Sequence, residues 1–158
     1  MTIKILCIGK TREKYFRLAV DEYLRRIRHY TPVEYTEIKA EKRKKTENDH
    51  QVKHRECEKI RQTISPQSVV VALDERGTQY SSREFSECIS RYRDRGDVKT
   101  LTFVTGGATG FSETFLKNAD SVMSLSKMTF PHQWCRLIFV EQLYRAYTIL
   151  AGESYHKE

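Results

Sequence analysis

The chain lacks both a long apolar run and paired cysteines, and each absence narrows the class of protein. No stretch of 18 consecutive apolar residues occurs, so no membrane-spanning helix is predicted. The first residues enter an apolar, β-rich segment directly, without the charged region, apolar stretch and cleavage site of a signal peptide. The four cysteines form no C-x-x-C pair. We therefore expect a cytoplasmic protein with reduced thiols and no contact with membranes.

Signatures of several enzyme classes are also missing. No G-x-G-x-x-G fingerprint and no Gly-Lys-Ser/Thr phosphate loop is present, which argues against ordinary NAD and NTP enzymes. No Ser-His-Asp, H-E-x-x-H or paired-carboxylate pattern occurs. His50, His54 and Cys57 share a helical face, but no fourth ligand accompanies them and a solvated face explains them better. The sequence therefore predicts no metal site.

The length of the chain bounds its architecture. A chain of 158 residues corresponds to one domain, and no internal repeat, low-complexity tract or linker divides it. A chain of this length can bury about 70% of the surface that it exposes when unfolded. It therefore needs neither disulfides nor a metal to fold, and we predict a single domain over residues 1–158.

Positive charge is concentrated in the first part of the chain. Residues 1–66 hold 17 Lys and Arg against 10 Asp and Glu, and residues 67–158 hold 11 against 11, so the whole net charge of +7 belongs to the first part. It peaks at residues 25–28 and 39–45. A solvated surface with a flexible basic loop would explain this, and so would a phosphate-binding face for nucleic acid. The separation of a basic part from a neutral part favours the nucleic-acid interpretation.

Apolar and amphipathic segments alternate along the chain. Continuous or alternating apolar runs predict five strands, over residues 3–8, 33–38, 69–73, 101–104 and 121–125. Helical spacing predicts five helices. Four of them cover residues 12–28, 83–94, 112–118 and 131–150, and the remaining one, second in the chain, has about 15 residues and ends before Ser65. Residues 74–77 are predicted to form a turn. Strands separated by helices indicate an α/β domain with a mostly parallel sheet flanked by helices.

Three loops are predicted to meet at one edge of this sheet. The turn Gly106-Gly107-Ala108-Thr109-Gly110 follows a strand, so a ligand could approach its backbone N–H groups closely, although a plain strand-to-helix turn would look the same. The polar loop 124–130 follows the last strand, and further residues follow Leu73. Ligands of open α/β sheets bind at the carboxyl ends of the strands. The sequence therefore predicts a small-molecule site at this edge.

The last helix is apolar on more than one side. Pro131 suits its first turn, and Glu141 and Arg145 are four residues apart and can pair. Ile138 and Phe139 extend the apolar surface beyond a single stripe. That stripe comprises Leu137, Val140, Tyr144, Tyr147 and Ala151. Such a helix is predicted to be buried, either in a core or in a dimer interface.

Other polar residues near this helix are candidates for function. Arg136 lies among apolar residues, either in a structural ion pair or at a site. His132 follows the polar loop and is either functional or bonded to the backbone at the helix start. The pair Tyr155-His156 lies close to the end of the sequence, where most domains fray. An aromatic ring and a titratable ring at that place favour a functional interpretation.

Several motifs together carry a resemblance to a known family. They are Ile3-x-Ile5-x-x-Ile8-Gly9-Lys10, Glu22-Tyr23-x-x-Arg26, Leu73-Asp74 before Gly77, Gly106-Gly107-x-x-Gly110-Phe111, Leu125-Ser126-x-Met128-Thr129-Phe130-Pro131-His132, Arg136, Glu141-Gln142-Leu143-Tyr144-Arg145-Ala146 and Tyr155-His156. With these motifs the chain resembles the ribosomal RNA large-subunit methyltransferase H family of knotted α/β (SPOUT) methyltransferases over essentially its full length. The later motifs are the more specific ones.

The resemblance implies a fold, a cofactor, a partner and a reaction. It implies a C-terminal trefoil knot, S-adenosylmethionine as methyl donor, a homodimer, and methylation of N3 of a pseudouridine in 23S rRNA on the assembled ribosome. It places the donor against three segments. Their residues are Leu73, Gly106, Leu125, Ser126, Lys127, Met128, Thr129 and Phe130.

The resemblance also implies that Tyr155 and His156 complete the active site. Methyl transfer from a sulfonium is an in-line displacement that needs positioning and removal of a weakly acidic imide proton, but no metal. A His or Tyr, with His132 among the candidates, could take the proton, and Arg136 or Arg145 could stabilise the anion. Two alternatives stay open: a non-catalytic ribosome- or RNA-binding protein, and a SPOUT methyltransferase that acts on tRNA.

Overall fold

Five strands and five helices alternate along the chain, as predicted. The computed structural model describes residues 1–156. The last two residues of the tail, 157 and 158, lie outside the described part. The elements are β1 (Thr2–Ile8), α1 (Lys14–Ile27), β2 (Val33–Ile38), α2 (Asp49–Thr63), β3 (Ser68–Gln79), α3 (Ser82–Asp94), β4 (Thr100–Thr105), α4 (Glu113–Asn118), β5 (Ser121–Ser124) and α5 (His132–Leu150).

The strands form one sheet in the order β2-β1-β4-β3-β5, and every pair of neighbours is parallel. On β1, Ile5 pairs with Tyr35 of β2 on one side and with Phe103 of β4 on the other. Parallel strands place their carboxyl ends at one edge, so the loops that follow β4 and β5 lie there beside the residues that follow Leu73 in β3. The predicted α/β class with a mostly parallel sheet is confirmed.

The helices cover both faces of the sheet, because side chains of a strand alternate between its faces. On one face α5 packs between α1 and α3, and the rings of Phe103 and Phe139 lie 4.7 Å apart. On the other face Leu6 and Ile8 of β1 pack with residues of α2 and α4, such as Ile60. Two apolar layers thus hold the sheet, which agrees with the strands' apolar runs.

One prediction about the strands is wrong: residues 74–77 do not end β3. The strand continues to Gln79, and Met123 of β5 pairs first with Leu73 and then with Thr78, so the residues between them form a bulge. A Cβ on Gly77 would lie 2.6 Å from the Val122 carbonyl group, so only glycine lets β5 approach here. The turn-like sequence is therefore a local kink inside a strand.

The buried face of α5 also differs from the predicted stripe. Val140 and Tyr147 are buried as expected, but Leu137 and Tyr144 are only half-buried and Ala151 is exposed. The side chains buried on α5 are Arg136, Phe139, Val140, Leu143, Ala146, Tyr147 and Thr148. Because α5 packs between α1 and α3 on the sheet, its neighbours bury a broad arc of its surface. The centre of this buried arc lies beside the predicted apolar stripe and not on it.

Candidate active site

A cleft of about 380 Å³ opens where β4 and β5 end and where β3 bulges after Leu73. This volume falls within the range of about 300–1,000 Å³ that small-molecule sites occupy. The residues that line it are Lys53, Leu73, Asp74, Glu75, Arg76, Thr105, Gly106, Gly107, Ala108, Thr109, Gly110, Phe111, Leu125, Ser126, Met128, Thr129, Phe130, His132 and Cys135. The three loops predicted from the sequence therefore do meet in one cavity.

The glycine turn forms one wall of the cleft. It is closed by a hydrogen bond from Gly110 N–H to the Gly107 carbonyl at 3.0 Å, and Gly110 has a positive φ of 71°. A Cβ on Gly106 would lie 3.2 Å from the backbone of Gly110. The turn is therefore folded too tightly for a side chain at position 106, which leaves its backbone open to a ligand.

The polar loop after β5 forms the opposite wall. Ser124 Oγ donates to the Ser126 carbonyl, and Ser126 Oγ accepts the N–H of Met128, both at 2.9 Å. Thr129 Oγ1 donates to Glu75 of the β3 bulge at 3.1 Å. Lys127 lies at the centre of this Ser-turn and does not line the cleft. The other residues predicted to contact the methyl donor all line it.

Sequence reasoning missed some of the lining. Lys53 comes from α2, which packs on the far side of the glycine turn, so no local pattern indicated it. Arg76 is bound to Asp74 by a pair of hydrogen bonds at the mouth of the cleft. Both lie in the segment after Leu73 that the sequence placed at this edge, although the segment is a bulge inside β3 and not a turn that ends the strand. Within the described residues, the hydroxyl of Thr109 is buried without a hydrogen-bond partner.

His132 and Arg136 stand at the start of α5 but in different surroundings. His132 lines the cleft, and burial lowers its pKa, with the charge of Arg136 lowering it further. Arg136 is only 2% exposed, donates to the Ile8 carbonyl and to Thr11 Oγ1, and pairs with Glu37 at 3.3 Å. Its guanidinium thus ties α5 to β1 and β2. This geometry favours the structural ion pair, because both terminal nitrogens of Arg136 bond away from the cleft, while its Nε has no hydrogen-bond partner among the described residues. Its role as an anion-stabilising group stays a prediction.

The end of the chain is held in a second group of residues, the tail cluster, which comprises Tyr23, Glu141, Arg145, Tyr155 and His156. Tyr155 Oη donates to Glu141 at 3.1 Å and lies 3.4 Å from Tyr23 Oη. Arg145 pairs with Glu141, lies over the Tyr155 ring at 4.8 Å, and is 3.4 Å from His156 Nδ1. Residues 155 and 156 are therefore anchored to α1 and α5.

The environment of Tyr155 keeps its phenol protonated. Burial raises its pKa first, and the hydrogen bond with Tyr23 and the charge of Glu141 raise it further. A phenol with a raised pKa is a poor proton acceptor near neutral pH. Among the candidates for the base, the two imidazoles of His132 and His156 are therefore favoured over Tyr155.

The cleft and the tail cluster are separate within one chain. No residue of the tail cluster belongs to the cleft lining. His132 stands at the first position of α5 and Arg145 comes 13 residues later on the same helix, which corresponds to about 20 Å along the axis. The predicted site residues are thus divided into two groups, of which only the one around His132 lies at the predicted ligand edge.

Two further findings concern the described residues as a whole. No helix within residues 1–156 is long and apolar enough to cross a membrane. Over the same range, no group of three or more His, Cys, Asp or Glu side chains is placed to hold a metal ion. Cys57, considered above beside two histidines, is buried and accepts hydrogen bonds from Ser112 at 3.5 Å.

Comparisons with known proteins agree with this geometry. The family described as "predicted SPOUT methyltransferase" matches residues 1–156. The chain is 48% identical over 156 residues to a protein of Christiangramia forsetii and 44% identical over 156 residues to one of Geobacter sulfurreducens, with 99% of each chain covered. A protein of Parabacteroides distasonis is 44% identical over 158 residues and covered completely. All three bear the name ribosomal RNA large subunit methyltransferase H.

A solved structure supports the fold. It is that of a probable methylase family protein from Haemophilus influenzae Rd KW20, with a TM-score of 0.53 and 13% sequence identity. The superposition covers 99% of this chain and 70% of that one. Together with the family match and the full-length relatives, these findings show that the chain belongs to the SPOUT methyltransferases, in the ribosomal RNA large subunit methyltransferase H family.

Proposed function

We propose that the protein is a cytoplasmic homodimeric enzyme that transfers a methyl group from S-adenosylmethionine to N3 of a pseudouridine in 23S rRNA, on the assembled ribosome. The observation that carries the proposal is the convergence of three loops in one cleft at the carboxyl ends of parallel strands. The names of the full-length relatives support ribosomal RNA as substrate. The nucleotide, the atom and the assembled ribosome follow from the family resemblance, as does the trefoil knot.

The residues of the cleft fit the proposed donor. Leu73 and Leu125 provide apolar walls for a purine ring, and the glycine turn offers a bare backbone to its polar edge. The buried hydroxyl of Thr109 lacks a partner that a ligand would supply. The carboxylates of Asp74 and Glu75 stand where they could meet the hydroxyl or ammonium groups of the donor. When bound, S-adenosylmethionine supplies a methyl group on a positively charged sulfur.

The chain's own residues then hold the substrate and move one proton. The lowered pKa of His132 leaves its imidazole neutral near pH 7, so it can accept a proton. His156, in contact with Arg145, is the alternative acceptor. Tyr155 stays protonated and donates its hydrogen bond to Glu141, which holds Glu141 and Arg145 in place, and the guanidinium of Arg145 stabilises the anion that loss of the N3 proton creates.

The division of the site supports the homodimer. The donor cleft and the tail cluster lie too far apart in one chain to act on one nucleotide, so the tail of a second copy would complete each cleft. Large apolar side chains are exposed near the cleft side of the molecule: Trp134 at the start of α5 is 50% exposed, and Tyr15 and Leu18 of α1 are 63% and 59% exposed. A symmetric dimer would cover the same patch on both chains.

The substrate is proposed to bind through the basic loop, residues 39–47. Lys42 and Lys45 are exposed on it, and Arg55 of α2 binds the carboxylates of both Glu41 and Glu47. The loop is thus held against α2, which favours a preformed phosphate-binding face over a flexible solvated loop. A non-catalytic RNA-binding protein would need no cleft of this kind, and no observation favours tRNA as substrate.

Binding and product analysis test the proposal. Calorimetry should show that S-adenosylmethionine or its demethylated product binds with roughly micromolar affinity, about −8 kcal/mol. Mass mapping of 23S rRNA from cells lacking the protein should reveal one pseudouridine without its methyl group, and added enzyme should restore it on whole ribosomes. If neither compound binds at high protein concentration, the proposal that the protein is a methyltransferase is wrong. Methylation of free tRNA in place of ribosomes would overturn the substrate.

A further inference from the structure

Glu56 is a buried carboxylate that belongs to neither the cleft lining nor the tail cluster. It lies on α2, is 4% exposed, and its Oε1 accepts the N–H of Glu41 in the basic loop at 3.0 Å. Its Oε2 is buried without a hydrogen-bond partner in the described part of the chain. Burial raises the pKa of Glu56. A half-satisfied carboxylate in the interior costs stability, so packing alone does not account for it.

The unpartnered side of Glu56 lies against the glycine turn of the cleft. A Cβ on Gly107 would overlap Oε2 of Glu56 and would lie 2.9 Å from Cγ2 of Ile8 and 3.1 Å from Cδ of Glu56, so Glu56 is the nearest of two obstructions. Gly107 does not have a positive φ, so its backbone conformation would allow other residues. Glycine is required there because a side chain would have no room. The Gly107 carbonyl accepts the hydrogen bond that closes the turn. Glu56 therefore supports the back of a turn whose front lines the cleft.

The other side of Glu56 belongs to the attachment of the basic loop. Its neighbours on α2, Arg55 and Lys59, both pair with Glu41, and Arg55 also pairs with Glu47. These ion pairs fix the loop at its carboxylates, and Glu56 fixes its backbone at Glu41. Within this set Glu56 is the residue that reaches from the loop to the glycine turn.

We infer that Glu56 is a positioning residue that holds the glycine turn and the basic loop in one fixed relation, so that donor binding and RNA binding influence each other. The inference rests on the proposed function, which assigns the donor to the cleft and rRNA to the loop. A displacement of the loop would move the Glu41 N–H, then Glu56, then the turn. Because such coupling is reciprocal, ribosomes should tighten donor binding by the same factor as the donor tightens ribosome binding.

Replacement of Glu56 tests the inference. Calorimetry with S-adenosylhomocysteine should show about 10-fold weaker binding to Glu56→Ala, and the KM for the donor should rise while kcat at saturating donor changes little. Glu56→Gln keeps an acceptor for the Glu41 N–H and the volume against Gly107, so it should bind within about twofold of wild type. The matched control is Glu58→Ala, which removes a carboxylate of the same helix that pairs only with Arg61 at the surface.

A double-mutant cycle tests the contact with the turn. Gly107→Ala should weaken donor binding in the wild-type background and weaken it less when Glu56→Ala has removed the obstructing carboxylate. Unchanged donor affinity in a folded Glu56→Ala variant, or additive effects in the cycle, would overturn the inference. If Glu56→Ala does not fold, Glu56→Asp replaces it in the cycle: its shorter side chain withdraws the carboxylate from Gly107, so the same relief is expected and additive effects would again overturn the inference. Wild-type protein that binds no donor would overturn the proposed function itself.

Discussion

The cleft and the tail cluster are built in different ways. The cleft consists of loops from distant parts of the chain, and its distinctive wall is bare backbone at Gly106 and Gly107. The tail cluster consists of ionisable and aromatic side chains on α1, α5 and the last described residues, joined by contacts such as Arg145 over Tyr155. Backbone walls suit the binding of a cofactor, whereas charged and aromatic groups suit proton transfer and electrostatic stabilisation.

If the proposed function is right, the difference between the two regions implies that neither region alone suffices for methyl transfer. The cleft contains one titratable imidazole, His132, but the cluster holds Arg145 together with Tyr155 and His156. About 20 Å of helix separates the two regions in one chain. Binding and chemistry should therefore respond to different substitutions, and a second chain should bring them together.

The largest effect is expected from blocking the cleft. In Gly106→Leu the new side chain begins 3.2 Å from the Gly110 backbone, so it should close the approach of the donor and abolish donor binding and turnover. Calorimetry and a methyl-transfer assay measure both. The control is Gly96→Leu, because no atom lies within 4 Å of a Cβ at that position. Normal donor binding by a folded Gly106→Leu protein would remove the cleft from its proposed role.

Removal of the tail should abolish chemistry but spare binding. Deletion of residues 155–158 should lower methyl transfer about 100-fold or more, the scale for losing one acid–base group, while folding, dimerisation and donor affinity stay nearly unchanged. Single substitutions Tyr155→Phe and His156→Gln apportion the loss. Full turnover on ribosomes would refute the role of the tail, and failure to fold would show that its contacts with Glu141 and Arg145 are structural.

Mixed dimers test whether the two regions meet across chains. A Gly106→Leu chain has a blocked cleft but an intact tail, and a chain without residues 155–158 has the reverse. Random mixing of the two in equal amounts should restore about a quarter of the wild-type sites, because half of the dimers carry one complete site of two. Activity that stays at the level of the two parents would show that each tail serves its own chain.

A smaller effect is expected from the basic loop, which belongs to neither region. Neutralising Lys42, Arg43, Lys44 and Lys45 together should weaken ribosome binding about 10-fold and flatten its salt dependence, with donor affinity unchanged. Filter binding over a series of salt concentrations measures both quantities. The control neutralises four exposed cations of the neutral part of the chain: Arg91, Arg93, Arg95 and Lys99. If the control variant loses as much ribosome affinity, the loss reflects the net charge of the protein and not a specific role of the basic loop.

The smallest effect concerns His132, the histidine of the cleft. Burial keeps the folded-state pKa of His132 below its unfolded value of about 6.5, so folding favours the neutral ring. The contribution of this neutral ring to the free energy of unfolding is fully present above pH 6.5. It is lost as the pH falls through the lower pKa of the folded state. His132→Gln should therefore lose less thermal stability than wild type between pH 7 and pH 5. His29→Gln, at a histidine outside both regions, is the control, and identical pH profiles would contradict the lowered pKa of His132.

The sequence predicted most elements to within a few residues, because their signals are local. The helix from Ser82 to Asp94 begins at its capping box, in which Ser81 and Glu84 bond each other's backbone N–H. The donor edge followed from strand ends and required no knowledge of packing. Tyr155 and His156 both contact residues of α5, and their predicted catalytic role stays a prediction.

Other features depended on contacts between distant segments. The kink at Gly77 arises because β5 approaches its backbone, which no local pattern encodes. The ion pair between Arg136 and Glu37 and the approach of Lys53 and Glu56 to the glycine turn join residues from different elements. The local sequence around each of these residues is compatible with several contact partners. The actual partner is determined by how the elements pack in the folded protein.

The sequence by itself determined the order of strands and helices, the family, the basic first part and the loops at the sheet edge, since periodicity, capping and motifs are properties of neighbouring residues. The tertiary structure decided which arc of α5 is buried, that Arg136 is an ion-pair residue, and that the cleft and the tail cluster lie apart. These outcomes depend on distances and directions between elements far apart in the chain, which only the packed fold defines.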